Sequence, residues 1–320
     1  MTTPFHFPSL VWGESIAIYL FLLGISAGST MMIILLKRAG LIHGELSQNY
    51  LIKINAFLAP ITVICGLTLL IFHLARPWTF WKLMFHYSHT SIMSCGVMLF
   101  QGYFITLTLW LLHIYQTQVK QLIQHRFPSL MAFANFAYRI IGYIQGIVEF
   151  LLLLIAIALG AYTGFLLSAL ISYPMLNNPV LPVLFLASGM SSGIASLTLC
   201  ALFFTKTNPQ DTLLVWLHKV ERFVLLTELF LLFAYFFGLY LGGGQKTQSF
   251  YTALGHGFWA QVFWIGVVFI GILLPLGLNQ FSKPSLRHRK SFVYLVAGST
   301  LFGVLCLRFF ILYAGQMTLA

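Results

Sequence analysis

The sequence predicts an all-α integral membrane protein: eight transmembrane helices packed as two four-helix bundles, with both chain ends outside the cytoplasm. Three observations carry this. Hydrophobic residues make up 59% of the chain and charged residues only 7%, too few to coat a soluble globule of 320 residues. Eight apolar stretches reach the roughly 20 residues that a helix needs to cross the hydrocarbon core. Thirteen of the 17 Lys and Arg residues lie in alternate loops, the distribution that holds cationic segments in the cytoplasm during insertion.

The elements follow in order. A first span over 15–37 runs into a basic loop at 37–53, and a second over 54–76 stops at the turn marked by Pro77. A third over 91–115 leads to the basic segment 116–139, and a fourth over 140–170 ends before Pro174 and Asn177-Asn178-Pro179. The fifth, 180–204, enters the basic loop 205–222; the sixth, 223–241, ends at Gly242-Gly243-Gly244. The seventh, 257–279, reaches the last basic loop at 280–290, and the eighth spans 292–317 with Arg308 inside it. Aromatic residues such as Phe5, Phe7, Trp12, Trp78, Trp81, Phe85, Tyr173 and Tyr251 crowd the outer boundary, as an interfacial belt does. Barrel strands would alternate in polarity over about 9–11 residues, and no such segments occur.

Composition excludes several function classes. The net charge of +11 is accounted for by orientation, and no loop is long enough to form a nucleic-acid reading head. Cys65, Cys95, Cys200 and Cys306 sit singly in four spans, without the paired spacing of a zinc or iron–sulfur site, and read as packing residues. The ten His residues lie in tails, loops or near span ends, so the chain is expected to hold no metal or haem of its own. The first fifteen residues lack Lys and Arg and no small-residue cleavage site follows, so the first helix is expected to be an uncleaved anchor.

Two halves overlay. Gly24 to Gly28 in the first span answers Gly189 to Gly193 in the fifth, and Tyr162-Thr163-Gly164 in the fourth answers Tyr313-Ala314-Gly315 in the eighth. A duplication would divide the chain into bundles at 1–171 and 172–320. Small residues at four-residue spacing also serve close helix packing on their own account. A surface helix over 78–89 would put Lys82, His86 and His89 on one face, either as a solvated anchor or as a docking strip for a partner.

Ionisable groups inside a bilayer are costly and mark candidate sites. Glu14 lies at the entrance of the first span, Arg76 at the outer end of the second, Glu149 in the fourth, Glu228 in the sixth and Arg308 in the eighth. At 1.5 Å rise per residue, Tyr162 and Arg308 both come out roughly 12 Å below the outer surface, with Tyr19 shallower and His73 a turn from Arg76. A lipid-soluble diol suits such a place, since a quinol needs hydrogen-bonding partners at each oxygen, a proton acceptor, and apolar walls for its tail. Tyr162, Tyr19, His73, Arg76, Glu14 and Arg308 are the candidate quinol-binding residues. Glu149 and Glu228 are candidates for a proton path, Glu149 near mid-membrane and Glu228 nearer the cytoplasm, or for helix-to-helix hydrogen bonds. Each also has a structural account: Arg76 snorkelling to the headgroups, or a Tyr hydroxyl bonding a backbone carbonyl.

The segments Trp12–Gly28, His73–Tyr87, Gly160–Leu170, Asn177–Leu186 and Arg308–Gln316 resemble the NrfD family of membrane subunits, which includes that of polysulfide reductase. The resemblance extends over the full length. It implies an eight-helix protein of two four-helix bundles in the bacterial inner membrane with periplasmic termini. It further implies a metal-free subunit that oxidises menaquinol near the periplasmic face. Electrons would pass to a periplasmic ferredoxin-like iron–sulfur subunit, then through a multihaem cytochrome to cytochrome c nitrite reductase. Tyr162 matches the quinone-contacting Tyr of the polysulfide reductase relative; Tyr19 falls where that relative has a His, which leaves Glu14 or His73 as substitute proton acceptors. The other readings are a quinone-reducing anchor of a molybdoenzyme, a secondary transporter with mid-membrane carboxylates, and a purely structural anchor.

Overall fold

Eight helices of the computed structural model are long and apolar enough to cross a membrane; the residues described are 3–74, 76–85, 87–88, 90–205, 208–281 and 289–319. The spanning helices are α1 (Glu14–Arg38), α2 (Tyr50–His73), α4 (Ile92–Ile114) and α6 (Met131–Ser168), then α7 (Leu181–Phe204), α8 (Thr212–Leu241), α10 (Phe258–Phe281) and α11 (Lys290–Gly315). Shorter helices α3 (Phe80–Leu83), α5 (Gln116–Arg126) and α9 (Gly244–Leu254) lie between them. Among the described residues there is no strand beyond one isolated bridge, Thr3 to His6. Many large apolar side chains face outward, Phe57, Phe72, Phe133, Phe203 and Phe230 among them, a surface for hydrocarbon rather than water.

The helices outrun their apolar stretches. α6 begins at Met131 and α8 at Thr212, well before the predicted entries at 140 and 223, and α5 occupies part of the predicted loop 116–139. Hydropathy marks the depth of hydrocarbon, whereas a helix propagates through any residue that keeps its backbone hydrogen bonds. Asn49 and Asp211 start α2 and α8 by accepting hydrogen bonds from the first free amides. Glu228 lies near the middle of α8.

α1 and α7 form the centre and are the most completely buried spans. They cross where Gly24 and Gly28 meet Gly189 and Gly193, and a Cβ on Gly28 or Gly193 would overlap the opposite backbone. Around this crossing the packing repeats: α1 against α2 and α6, with α4 on α6, and α7 against α8 and α11, with α10 on α11. The contact of α6 with α7 is matched by that of α11 with α1. Residues Val262–Leu273 of α10 are wound as a π-helix. Gly266 and Gly271 would point about 140° apart on an α-helix; the i→i+5 winding turns both toward α11, at Cys306 and Gly303.

Both termini lie on one face. Gln316 Oε1 accepts from the amides of Val11 and Trp12 at 2.8 and 3.0 Å, and its Nε2 donates to the Trp12 carbonyl at 2.9 Å. The predicted surface helix 78–89 is instead a 3₁₀ turn at Pro77–Thr79 followed by the single turn α3. Lys82 is exposed there; His86 and His89 lie outside the described residues. Cys200 and Cys306 are partly buried, but Cys65 and Cys95 are exposed on the helix surfaces rather than packed inside.

Candidate functional site

α2, α3, Met84 and α4 border a gap beside α1 and α6. The gap is a cavity of about 150 Å³ into which α1 contributes Tyr19 and α6 contributes Tyr162. The remaining walls are almost entirely apolar: Leu67, Leu70, Ile71 and Leu74 from α2, Met93, Val97 and Phe104 from α4, and Leu166 from α6. Gln101 is the other polar lining residue. Its Nε2 donates to the Met84 carbonyl at 3.1 Å and its Oε1 accepts from Tyr87 Oη at 2.7 Å, which fastens Met84 and Tyr87 to α4.

Tyr19 and Tyr162 are both largely buried, at 1% and 6% exposure, and both line the cavity. Phe100 stands between the rings, tilted to Tyr19 at 6.5 Å and edge-on to Tyr162 at 6.2 Å between centroids. The Tyr162 ring also lies directly on the bare backbone of Gly96, where any Cβ would collide with its hydroxyl. Two donor–acceptor groups therefore meet one space whose other walls, Gln101 apart, are hydrocarbon, the chemistry that suits an aromatic diol or dione on a lipid tail.

The other predicted residues are distributed elsewhere. His73, the last residue of α2, and Arg76 beyond its end are exposed, flanking Leu74 but outside the cavity wall. Glu14 is exposed on the terminal face beside Gly13, whose Cα side faces the Tyr313 hydroxyl. Arg308 is fully buried in the second half. Its Nη2 donates to the Phe185 carbonyl at 3.1 Å, its guanidinium lies 3.8 Å from the Phe185 ring centroid, and Glu228 is its electrostatic partner. Arg308 Nε and Nη1 have no protein hydrogen-bond partner among the described residues.

The two carboxylates end up in separate clusters. Glu149 pairs with Lys37 from the far end of α1 and accepts from Trp110 Nε1 at 3.2 Å. Above that pair, Tyr103 Oη bonds Ser26 Oγ at 3.0 Å and Thr30 Oγ1 at 2.8 Å. Tyr19, Ser26, Thr30 and Lys37 thus form one polar stripe on α1. Glu228 accepts from Ser191 Oγ at 3.2 Å. Two turns along the same face of α8, the buried Glu221 accepts from Thr300 Oγ1 at 3.1 Å and faces His218 Nδ1 at 3.3 Å. Sequence reading did not pick out Glu221, Lys37, Trp110, Phe100 or Gln101. The seven-residue spacing of Glu221 and Glu228 was the available signal for the first; for the others the signal was only a polar or aromatic residue inside a span.

The profile of the family described as "Polysulphide reductase, NrfD" matches residues 2–320. The chain belongs to the NrfD family. NrfD relatives include a "Protein NrfD homolog" of Haemophilus influenzae, 52% identical over 99% of this chain and 98% of that protein. "Protein NrfD" of Escherichia coli is 48% identical over 100% and 99%. The C subunit of polysulfide reductase from Wolinella succinogenes is 42% identical over 97% and 96%. The family match spans the residues of the cavity and of the polar clusters.

Proposed function

We propose that this protein is a menaquinol-oxidising membrane subunit, with the headgroup held between Tyr19 and Tyr162 and the isoprenoid tail leaving between α2 and α4. The observation that supports this reading is the pair of tyrosines, each largely buried, that line one cavity whose other walls, Gln101 apart, are apolar. Each hydroxyl can accept from a quinol O–H and donate to a quinone oxygen, so the same two groups serve both redox states. Phe100 sets their separation, and α3 with Met84 borders the same cavity.

Oxidation releases both electrons and both protons of the quinol. In our reading the protons leave by the terminal face, where His73, next to the lining residue Leu74, is the first exposed base and Arg76 lies beside it. Electrons pass to a periplasmic ferredoxin-like iron–sulfur subunit docked on that face, and from it by way of a multihaem cytochrome to nitrite reductase. The family relatives called NrfD support this assignment. The same reading has the protein in the bacterial inner membrane with periplasmic termini, and the division at residue 171 as the seam between two duplicated bundles. We leave Glu14 and Arg308 out of the headgroup contact. Glu149 and Glu228 belong in our reading to closed polar clusters; as a proton path they would each have to part from a basic partner. The polysulfide reductase relative supports a second reading, in which the same cavity reduces quinone.

The test is a titration of the purified protein with a fluorescent quinol analogue, native against Tyr162→Phe. Saturable binding weakened by about 1–2 kcal/mol, the loss of one hydrogen bond to a buried group, is the expected result. Native binding left untouched by Tyr162→Phe and by Tyr19→Phe would remove the site from this cavity.

A further inference from the structure

The repeated packing around the α1–α7 crossing relates the gap that α2, α3 and α4 border to a gap that α8, α9 and α10 border. That second gap is a real groove of about 790 Å³, lined by Leu229, Phe233, Phe237, Phe250, Trp264 and Val268 among others. From Leu226 to Tyr240 it runs roughly 21 Å along α8 at 1.5 Å per residue, most of the roughly 30 Å hydrocarbon thickness.

What the groove lacks is the headgroup end. Aligning the two glycine pairs puts Leu184 where the first half has Tyr19. Tyr313, which answers Tyr162, does not line the groove. It is stacked on Trp259 at 4.7 Å between centroids, with Phe5 edge-on at 5.4 Å. Trp259 Nε1 in turn donates to the Pro4 carbonyl at 2.8 Å, and Ser9 Oγ to the Gln316 carbonyl at 2.6 Å. The N-terminal arm therefore seals the place where a ring would sit. A partner helix is a poor occupant too: helices meet in a bilayer through small residues, as α1 and α7 do here, whereas this groove is walled by Phe and Leu. A flexible hydrocarbon tail fits walls of that kind.

We propose that the α8–α10 groove is a structural lipid site that holds an acyl tail of a membrane phospholipid and has lost the ability to hold a quinol ring. It stands whether or not the first cavity takes quinol. The experiment uses the full-length protein in nanodiscs containing phosphatidylcholine with a diazirine at the end of one acyl tail, photolysed and mapped by peptide mass spectrometry. Label concentrated on 226–240 and 263–268, and unchanged by excess quinone analogue, is the expected result. In Leu229→Trp, and separately in Val268→Phe, that label falls to the level of the outer helix faces while the melting temperature in detergent is kept. Even labelling of all lipid-facing helices would overturn the proposal by showing ordinary annular lipid. Displacement by the quinone analogue would overturn it by showing a second quinone site.

Discussion

Tyr162 and Gly96 act as one unit at the scale of single residues. The phenol occupies the volume that a side chain at 96 would need, so Gly96→Ala is expected to push the ring from its seat. Analogue binding should then fall at least as far as in Tyr162→Phe, with the helix content by circular dichroism unchanged. Tyr19→Phe is expected to weaken binding by a similar ~1–2 kcal/mol, and the double variant by more than either, because both tyrosines line the same cavity. The Lys37–Glu149 pair makes a different prediction. Its side chains are 17% and 10% exposed, so breaking it costs less than the ~3–5 kcal/mol of a fully buried pair. Lys37→Met should lower the melting temperature in detergent, and adding Glu149→Gln should recover part of the loss, since the amide carbonyl still accepts from Trp110. Recovery of nothing would show that the pair is not coupled in the folded protein. Sequence reading named the two tyrosines from their depth and chemistry; it could not pair Glu149 with Lys37, because that contact depends on how α1 and α6 are turned and shifted against each other.

The crossing of α1 and α7 is the element-scale feature on which both halves depend. Gly28 and Gly193 admit no Cβ without displacement of the opposite backbone, and inserting bulk into such a packed seam costs typically about 1–3 kcal/mol or more. Gly193→Leu is therefore expected to lower thermal stability clearly more than Gly298→Leu, a helix glycine with open space around it; equal effects in a melting assay would refute the close crossing. Glycine spacing in the sequence disclosed that such seams exist. It did not disclose that the two motifs face each other, because four-residue spacing marks a helix face and says nothing of its partner. The π-wound stretch of α10 was likewise illegible, since its five-residue glycine spacing reads as noise on a helix of 3.6 residues per turn.

For the whole molecule, the proposed arrangement puts quinol oxidation, proton release and the electron acceptor on one face. Turnover would then move no net charge across the membrane. Proteoliposomes of sealed, known orientation, loaded with the electron-accepting partner and a pH dye, should acidify on the terminal side without a membrane potential. Protons taken up or released on the opposite side would instead bring the Glu149 and Glu228 clusters into the path. The buried polar stripe of α1, from Tyr19 through Ser26 and Thr30 to Lys37, is where such a path would have to begin.

Length, apolar stretches and the asymmetry of Lys and Arg sufficed by themselves for the class of this protein, because a bilayer leaves internally bonded helices as the simplest way across. The eight spans follow from one-dimensional pattern alone. Which polar side chains meet is a three-dimensional matter. Helix rotation turned Tyr19 and Tyr162 into one cavity, sent Arg308 to Glu228, and left His73, Arg76 and Glu14 at the surface. Residues tens of positions apart acquire a common neighbourhood only when helices pack, and it is that packing, decided by glycine seams and bulky aromatic wedges, that assembled the candidate site.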